Sequence, residues 1–227
     1  MVGLSHNSSP HRVIILVLWI LMETVAARSP VSDLRIVGGN LALDFVNTRG
    51  GPRHGPAATE WLSGYEDFAA WAGRVGVCDP SAPPGENTPR SAALAAFTRV
   101  QACREDMDEI FRALADSSVP PAPALRRMQL AYVEALANGQ LVCDAQGCAW
   151  RWDSGCGLLA PLWPIVAAAV ELLTDGPAGH VKACHACRFV FIDNSKNSSR
   201  RWCSMDDCGK EAKIARYLER RSHPNGP

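Results

Sequence analysis

A chain of 227 residues is long enough for one ordinary domain with a small module, or for two modest domains. With 47% apolar and 20% charged side chains its composition is globular, which excludes wholesale disorder, and a net charge of zero gives no overall pull toward a polyanion. The charge is unevenly spread: His180 to Pro227 carries 10 basic and 5 acidic residues, leaving 13 basic against 18 acidic in the first 179. A basic tail on an acidic body is the asymmetry expected of a nucleic-acid-binding appendage, with a solvated charged helix as the plainer alternative.

The chain opens with His11 and Arg12, an apolar run from Val13 to Met22, and Val25-Ala26-Ala27, a pattern similar to a secretory signal. The run is shorter than the roughly 20 apolar residues a membrane span needs, and Glu23 follows it directly. Residues 1–30 are therefore read as an N-terminal extension, either a signal-like segment or a mis-called start with translation beginning at Met22; the second reading goes with a cytoplasmic location, and neither gives a membrane partner.

Leu34 to Val37 reads as a short strand and Gly38-Gly39-Asn40 as a turn. Leu41 to Val46 is apolar, and its period does not choose between strand and helix. After a Gly- and Pro-rich loop, Trp61, Leu62, Tyr65, Phe68, Ala69 and Ala72 recur at helical spacing, with Thr59 as a candidate cap and Gly76 as the stop. Asp79 to Pro89 reads as a linker. A long helix from Ser91 carries Leu94, Phe97, Val100, Met107, Ile110, Phe111 and Leu114, and a second runs from Leu125 to Ala137, closed by Asn138-Gly139. Leu141–Cys143 and Cys148–Trp152 flank a turn and predict a β-hairpin. Leu158 to Leu173 predicts a strongly apolar, buried helix.

The tail holds Cys184 and Cys187, then Cys203 and Cys208. Two close cysteine pairs separated by a hairpin-length insert suit a tetrahedral thiolate site for one structural zinc ion. A module this small buries little core, so the metal supplies its folding free energy. His185 lies inside the first pair, but adjacency to Cys184 makes it an awkward substitute ligand. A closed four-sulfur site leaves no position for water or substrate, which argues against metal catalysis there. Arg188 to Ile192 alternates as a strand. A helix is expected from about Asp207 to Arg221, capped by Ser204 or Asp206, with Ile214 and Leu218 packed on the ribbon. Arg200, Arg201, Lys213, Arg216 and Arg220 are then candidate phosphate contacts, and Lys210 a candidate base contact.

At these residues the chain resembles the CGNR zinc-finger family, found at the C-terminus of bacterial proteins that carry an ABATE domain. The likeness rests on Cys184-His-Ala-Cys187 through Asp193, Ser195 to Asn197, Arg200-Arg201-Trp202-Cys203 and Cys208-Gly209. Upstream, Gly39 to Thr48 is similar to the ABATE opening motif, and Tyr65, Phe68 and Trp71-Ala72 fit its next helix. The resemblance implies a stress-induced transcription regulator, and it places the opening motif near a native N-terminus. The eponymous Cys-Gly-Asn-Arg is here Cys208-Gly209-Lys210-Glu211, so one charge on the presumed contact helix is reversed.

Elsewhere the signals are thinner. Asp44, Asn47 and Thr48 form a candidate ligand-binding group, or else satisfy backbone at an element's end. Cys143 and Cys148 face one another across the predicted hairpin, and with Cys156 they are a poor metal set for want of a fourth ligand. No nucleotide loop and no catalytic triad stands out, so no enzyme is expected. The reading is an α+β protein. Residues 31–176 form a mostly helical ABATE-like domain with a small β-sheet or hairpin, and residues 177–227 a CGNR-like zinc finger, a treble-element zinc ribbon ending in a basic helix. DNA is the expected partner, with a small-molecule effector or a homodimer for the N-terminal domain. The alternatives are RNA binding through Phe189, Phe191, Trp202 or Tyr217, and a ligand-binding protein or enzyme whose ribbon is only structural.

Overall fold

The computed structural model describes residues 27–28, 30–78, 88–145, 147–152 and 157–222. The apolar run Val13–Met22, the candidate start at Met22, most of the linker and Cys156 lie outside the described residues. Among those described, no helix is long and apolar enough to cross a membrane.

The protein is α+β: a mostly helical body with small sheets, followed by a zinc finger that ends in a basic helix. Its centre is α1 (Leu41–Val46), whose ambiguous apolar pattern resolves as a short, almost fully buried helix. Asn40 begins it by accepting the Ala42 amide on its side chain at 2.8 Å. Around α1 pack α3 (Arg90–Ala115), α5 (Leu162–Thr174) and a strand of the finger. Phe45 meets Phe68 and Trp71 of α2 (Tyr65–Arg74) at centroid distances of 6.0 and 5.5 Å. Each such ring contributes about 1.5–3 kcal/mol by leaving water. Gly76, at φ 77°, takes the left-handed turn that stops α2.

α4 (Ala122–Ala137) runs antiparallel to α3, since Arg99 bonds Glu134 while Arg127 bonds Asp106. The predicted hairpin is present as β4 (Gln140–Asp144) and β5 (Gly147–Arg151), with Cys143 opposite Cys148 and the two joined by a disulfide. Earlier in the chain β1 (Ala27–Arg28) and β2 (Arg49–Gly50) flank β3 (Thr59–Glu60) in a small mixed sheet. Glu60 of β3 receives a bidentate pair of 2.8 Å bonds from Arg104, a residue only 2% exposed that also donates to Thr48 Oγ1.

Three local expectations are corrected. Leu34 to Val37 is extended but pairs in no ladder; it is tied to the finger by single bonds. Thr59 lies in β3 rather than capping a helix, and α2 begins only after Gly64. Leu94 faces solvent, because it lies on the side of α3 away from Ala93, Ala96 and Phe97, which pack on the core.

Candidate metal centre

The first cysteine pair sits on a turn between β6 (Val181–Ala183) and β7 (Val190–Ile192), an antiparallel pair. The Cys184 amide donates to Phe189 O at 2.8 Å, closing that turn. The Ala186 amide points at Cys184 Sγ from 3.5 Å. The second pair comes from a loop, Cys203, and a π-type turn, Met205–Gly209, that supplies Cys208. The four sulfurs of Cys184, Cys187, Cys203 and Cys208 lie within 4.8 Å of one another. Cys203 Sγ is 3.6 Å from Cys187 Sγ and 3.7 Å from Cys208 Sγ. A tetrahedron with metal–sulfur bonds of about 2.3 Å has edges of about 3.8 Å, so the quartet has the size a zinc ion requires.

The acid–base balance of the quartet points the same way. Burial and the neighbouring thiols push Cys208 up to about 12. Bonds to Cys184 and Cys187 raise Cys203, whereas Cys184 is lowered by the donors converging on it. One thiolate is comfortable and four together are not, unless a cation shares their charge. The four cysteines hold one structural zinc ion. His185 stays outside the quartet, exposed and 3.5 Å from Arg201.

The metal site is wrapped in apolar groups. Phe191 is fully buried beside Cys184, Cys203 and Cys208, with Val37, Phe189 and Trp202 packed around them. Val37 belongs to the extended segment ahead of α1. That segment also gives Arg35, which bonds Ser204 Oγ and pairs with Asp207, and Gly38, whose carbonyl accepts the Ile192 amide at 2.8 Å. A Cβ on Gly38 would sit 2.9 Å from the Asp44 amide nitrogen, so only glycine permits this approach.

Asp193 holds the polar turn between the pairs. It is fully buried and accepts from Lys182 Nζ at 2.6 Å, Ser195 Oγ at 2.6 Å, and the amides of Ser195 and Arg200 at 3.0 Å each. Burial alone would raise its pKa; these donors, Lys182 foremost, hold it well below the ordinary carboxylate range. Sequence reading gave this residue no role, although an acidic residue directly after an apolar strand was a visible signal.

Residues 39–176 match the ABATE family model, described as "Putative stress-induced transcription regulator", and residues 180–221 match the CGNR zinc finger. The chain belongs to the ABATE family. No curated protein matches it.

In this ABATE protein the finger is not a tail. Val181, Val190 and Ile192 are members of the same core as α1, α3 and α5. Asn47 pairs with the backbone of Val190 through both ends of its amide, Nδ2 to the carbonyl and Oδ1 from the amide, each at 2.9 Å. Arg112 of α3 donates to Arg188 O at 2.7 Å, and Arg53 to Cys184 O at 2.9 Å. The candidate ligand group is thus turned inward: Asp44 accepts the Gly38 amide at 2.7 Å, and Thr48 Oγ1 donates to Phe45 O while accepting from Arg104. Burial, the largest influence, raises Asp44. All three side chains spend their polar atoms bracing the fold.

The candidate nucleic-acid residues fall into two sets. Arg200 is folded back, donating to Trp202 O and Cys203 O with its guanidinium over the Phe191 ring. Its donors serve the metal loop. Arg201 lies exposed against the Trp202 ring. Lys210, Lys213, Arg216 and Arg220 are all exposed on α6 (Lys210–Ser222), a helix with no buried residue. Its only extensive contact among the described residues is with the Met205–Gly209 turn it grows from. The expectation that Ile214 and Leu218 pack on the ribbon is overturned: they are 49% and 58% exposed. Phe191, a candidate for base stacking, is core instead.

Proposed function

We propose that this ABATE protein is a DNA-binding transcription regulator of the cytoplasm, acting through its zinc-held C-terminal helix and catalysing no reaction. The observation that carries the reading is α6 itself. A helix bearing Lys210, Lys213, Arg216, Arg220 and Arg221 stands clear of the body, with its start fixed by a metal-bound turn. Exposed cationic side chains on a rigid mount suit the phosphate backbone, and the body bound to that mount is suited to pass on a signal. Arg201 extends the basic surface toward the metal loop. An effector would bind in the open cleft where body and finger meet, lined by Asn40, Glu171, Asp175, Pro177, Ile192 and Asn194.

Duplex-DNA binding measured across a salt series tests this. Each phosphate neutralised contributes about −0.9 to the slope of log K against log salt, so Arg216→Glu with Arg220→Glu flattens the slope by roughly 2. Binding that ignores both salt and the double variant would refute the proposal. A second reading is favoured by the shared core: the ribbon braces the body for some other task. It predicts zinc-dependent stability with no nucleic-acid binding by the full chain at any salt.

A further inference from the structure

The β4–β5 hairpin is held together by very little. Nine of its ten strand residues are exposed, so it buries almost no apolar surface. Its only extensive contact among the described residues is between its own two strands. A two-stranded hairpin on its own is marginal in water. Two features order this one. Trp152, just past β5, donates its indole Nε1 to Ala135 O of α4 at 2.7 Å and stacks on Trp150 at a centroid distance of 6.3 Å. The second is the Cys143–Cys148 bond, which ties opposite positions of the ladder over a sequence separation of 5. Closing so short a loop shifts the balance between open and ordered hairpin roughly thirtyfold toward order.

The other described cysteines differ in both exposure and role. Cys184, Cys187, Cys203 and Cys208 belong to the metal and are buried or half-buried. Cys78 is half-buried with its thiol directed at Ala69 O, and burial pushes the Cys103 thiol up to about 12, which leaves it inert. Cys143 and Cys148 are the exposed ones, so both sulfurs of their bond lie open to an attacking thiolate. Exposed disulfides are the labile ones, and a disulfide formed in a reducing cytoplasm is usually transient. We propose that Cys143–Cys148 is a reversible thiol–disulfide exchange site, reduced by a protein dithiol, whose oxidation state sets the order of the hairpin. A thiolate of the dithiol attacks one sulfur, forming a mixed disulfide and releasing the other cysteine as a thiolate. The second thiol of the reductant resolves that intermediate. Two electrons and two protons thus pass to Cys143 and Cys148, and the reductant leaves as a disulfide. In the return direction a hydroperoxide oxidises one thiolate to the sulfenic acid and departs as an alcohol or water; the remaining thiol then displaces water and re-forms the bond. Loosening is confined to the hairpin, because α4 and α5 pack directly on one another. The inference rests on the cytoplasmic location in the reading above and on nothing about DNA.

The test uses the full zinc-loaded chain in its oxidised form. Treatment with thioredoxin and its reductase is expected to free both hairpin thiols for alkylation while zinc stays bound. Hydrogen exchange of the β4 and β5 ladder amides should then accelerate roughly thirtyfold, with α4 and α5 keeping their protection. Hydrogen peroxide should restore the bond and the slow exchange before any zinc is released. Cys143→Ser combined with Cys148→Ser should exchange fast with or without reductant. Both side chains are exposed, so the body of that variant keeps its fold and the comparison stays interpretable. A bond that resists thioredoxin until the chain is denatured is structural and overturns the inference. So does a reduced hairpin that exchanges as slowly as the oxidised one, or a pair that peroxide fails to rejoin. Duplex-DNA binding by the same samples separates the two readings. Binding beside an inert disulfide removes this site and leaves the regulator standing. A reducible pair in a chain that binds no DNA does the reverse.

Discussion

The two halves of the zinc finger have opposite relations to the rest of the molecule. β6 and β7 are core: Val181, Val190 and Ile192 are buried with the body's helices, and Asn47, Arg53 and Arg112 reach across to their backbone. α6 touches little beyond its own first turn and buries nothing. The metal joins the halves, with two sulfurs from each side. One ion therefore anchors a free helix to a fixed platform, and the protein can devote that helix to an external surface without loosening the body.

The largest effect expected from this contrast is that of metal removal. Structural zinc supplies on the order of 10–16 kcal/mol to isolated fingers. Here chelation should strip amide-exchange protection from residues 200–222 while β6 and β7 stay protected, because the body holds them. Loss of protection across both halves would show that the division is wrong. Next comes Asn47→Ala, which leaves the Val190 amide and carbonyl buried without partners. A loss of about 3 kcal/mol in chemical denaturation is expected, from a penalty of about 1–3 kcal/mol per orphaned group. A smaller effect is pH-dependent. Asp193 has a folded pKa below its unfolded value of about 3.9, so its stabilisation is fully present above that value. The contribution drains as pH falls through the folded value. Asp193→Asn should thus lower stability at pH 7 and narrow its gap to wild type below about pH 3.5; a gap constant from pH 7 to 3 would assign Asp193 no electrostatic role. The smallest effect should belong to Leu218→Ser, within about 0.5 kcal/mol of wild type, as expected for an exposed site. A large loss would mean that α6 is not free.

Much of this was legible in the residues. Four cysteines in two close pairs announce their own geometry, because a tetrahedral site constrains spacing. The helices α3 and α4 and the β4–β5 hairpin were readable since their periods run over many residues. α1 was not: six apolar residues fit strand and helix alike, and the Asn40 cap with burial on every side decided the matter. Ile214 and Leu218 were misplaced because periodicity names a face without saying what covers it. Asn47 was seen as polar and conspicuous, but its partner lies 143 positions away, and no local pattern encodes such a pairing. Arg200 was hidden by something else: its partners, Trp202 O and Cys203 O, are two and three positions away, but its charge suggested an outward contact while its donors close the metal loop.

The Asn47–Val190 pair also bears on how such a protein can change over generations. A finger held only by metal could be moved between genes like a cassette. This one arrives with two peptide groups that need a host carrying an amide at the right place, and a chimera that moves residues 180–221 onto an unrelated domain inherits both as debts. Body and finger are therefore expected to travel together through recombination, and to tolerate innovation chiefly along the outer helix, where no such obligation exists.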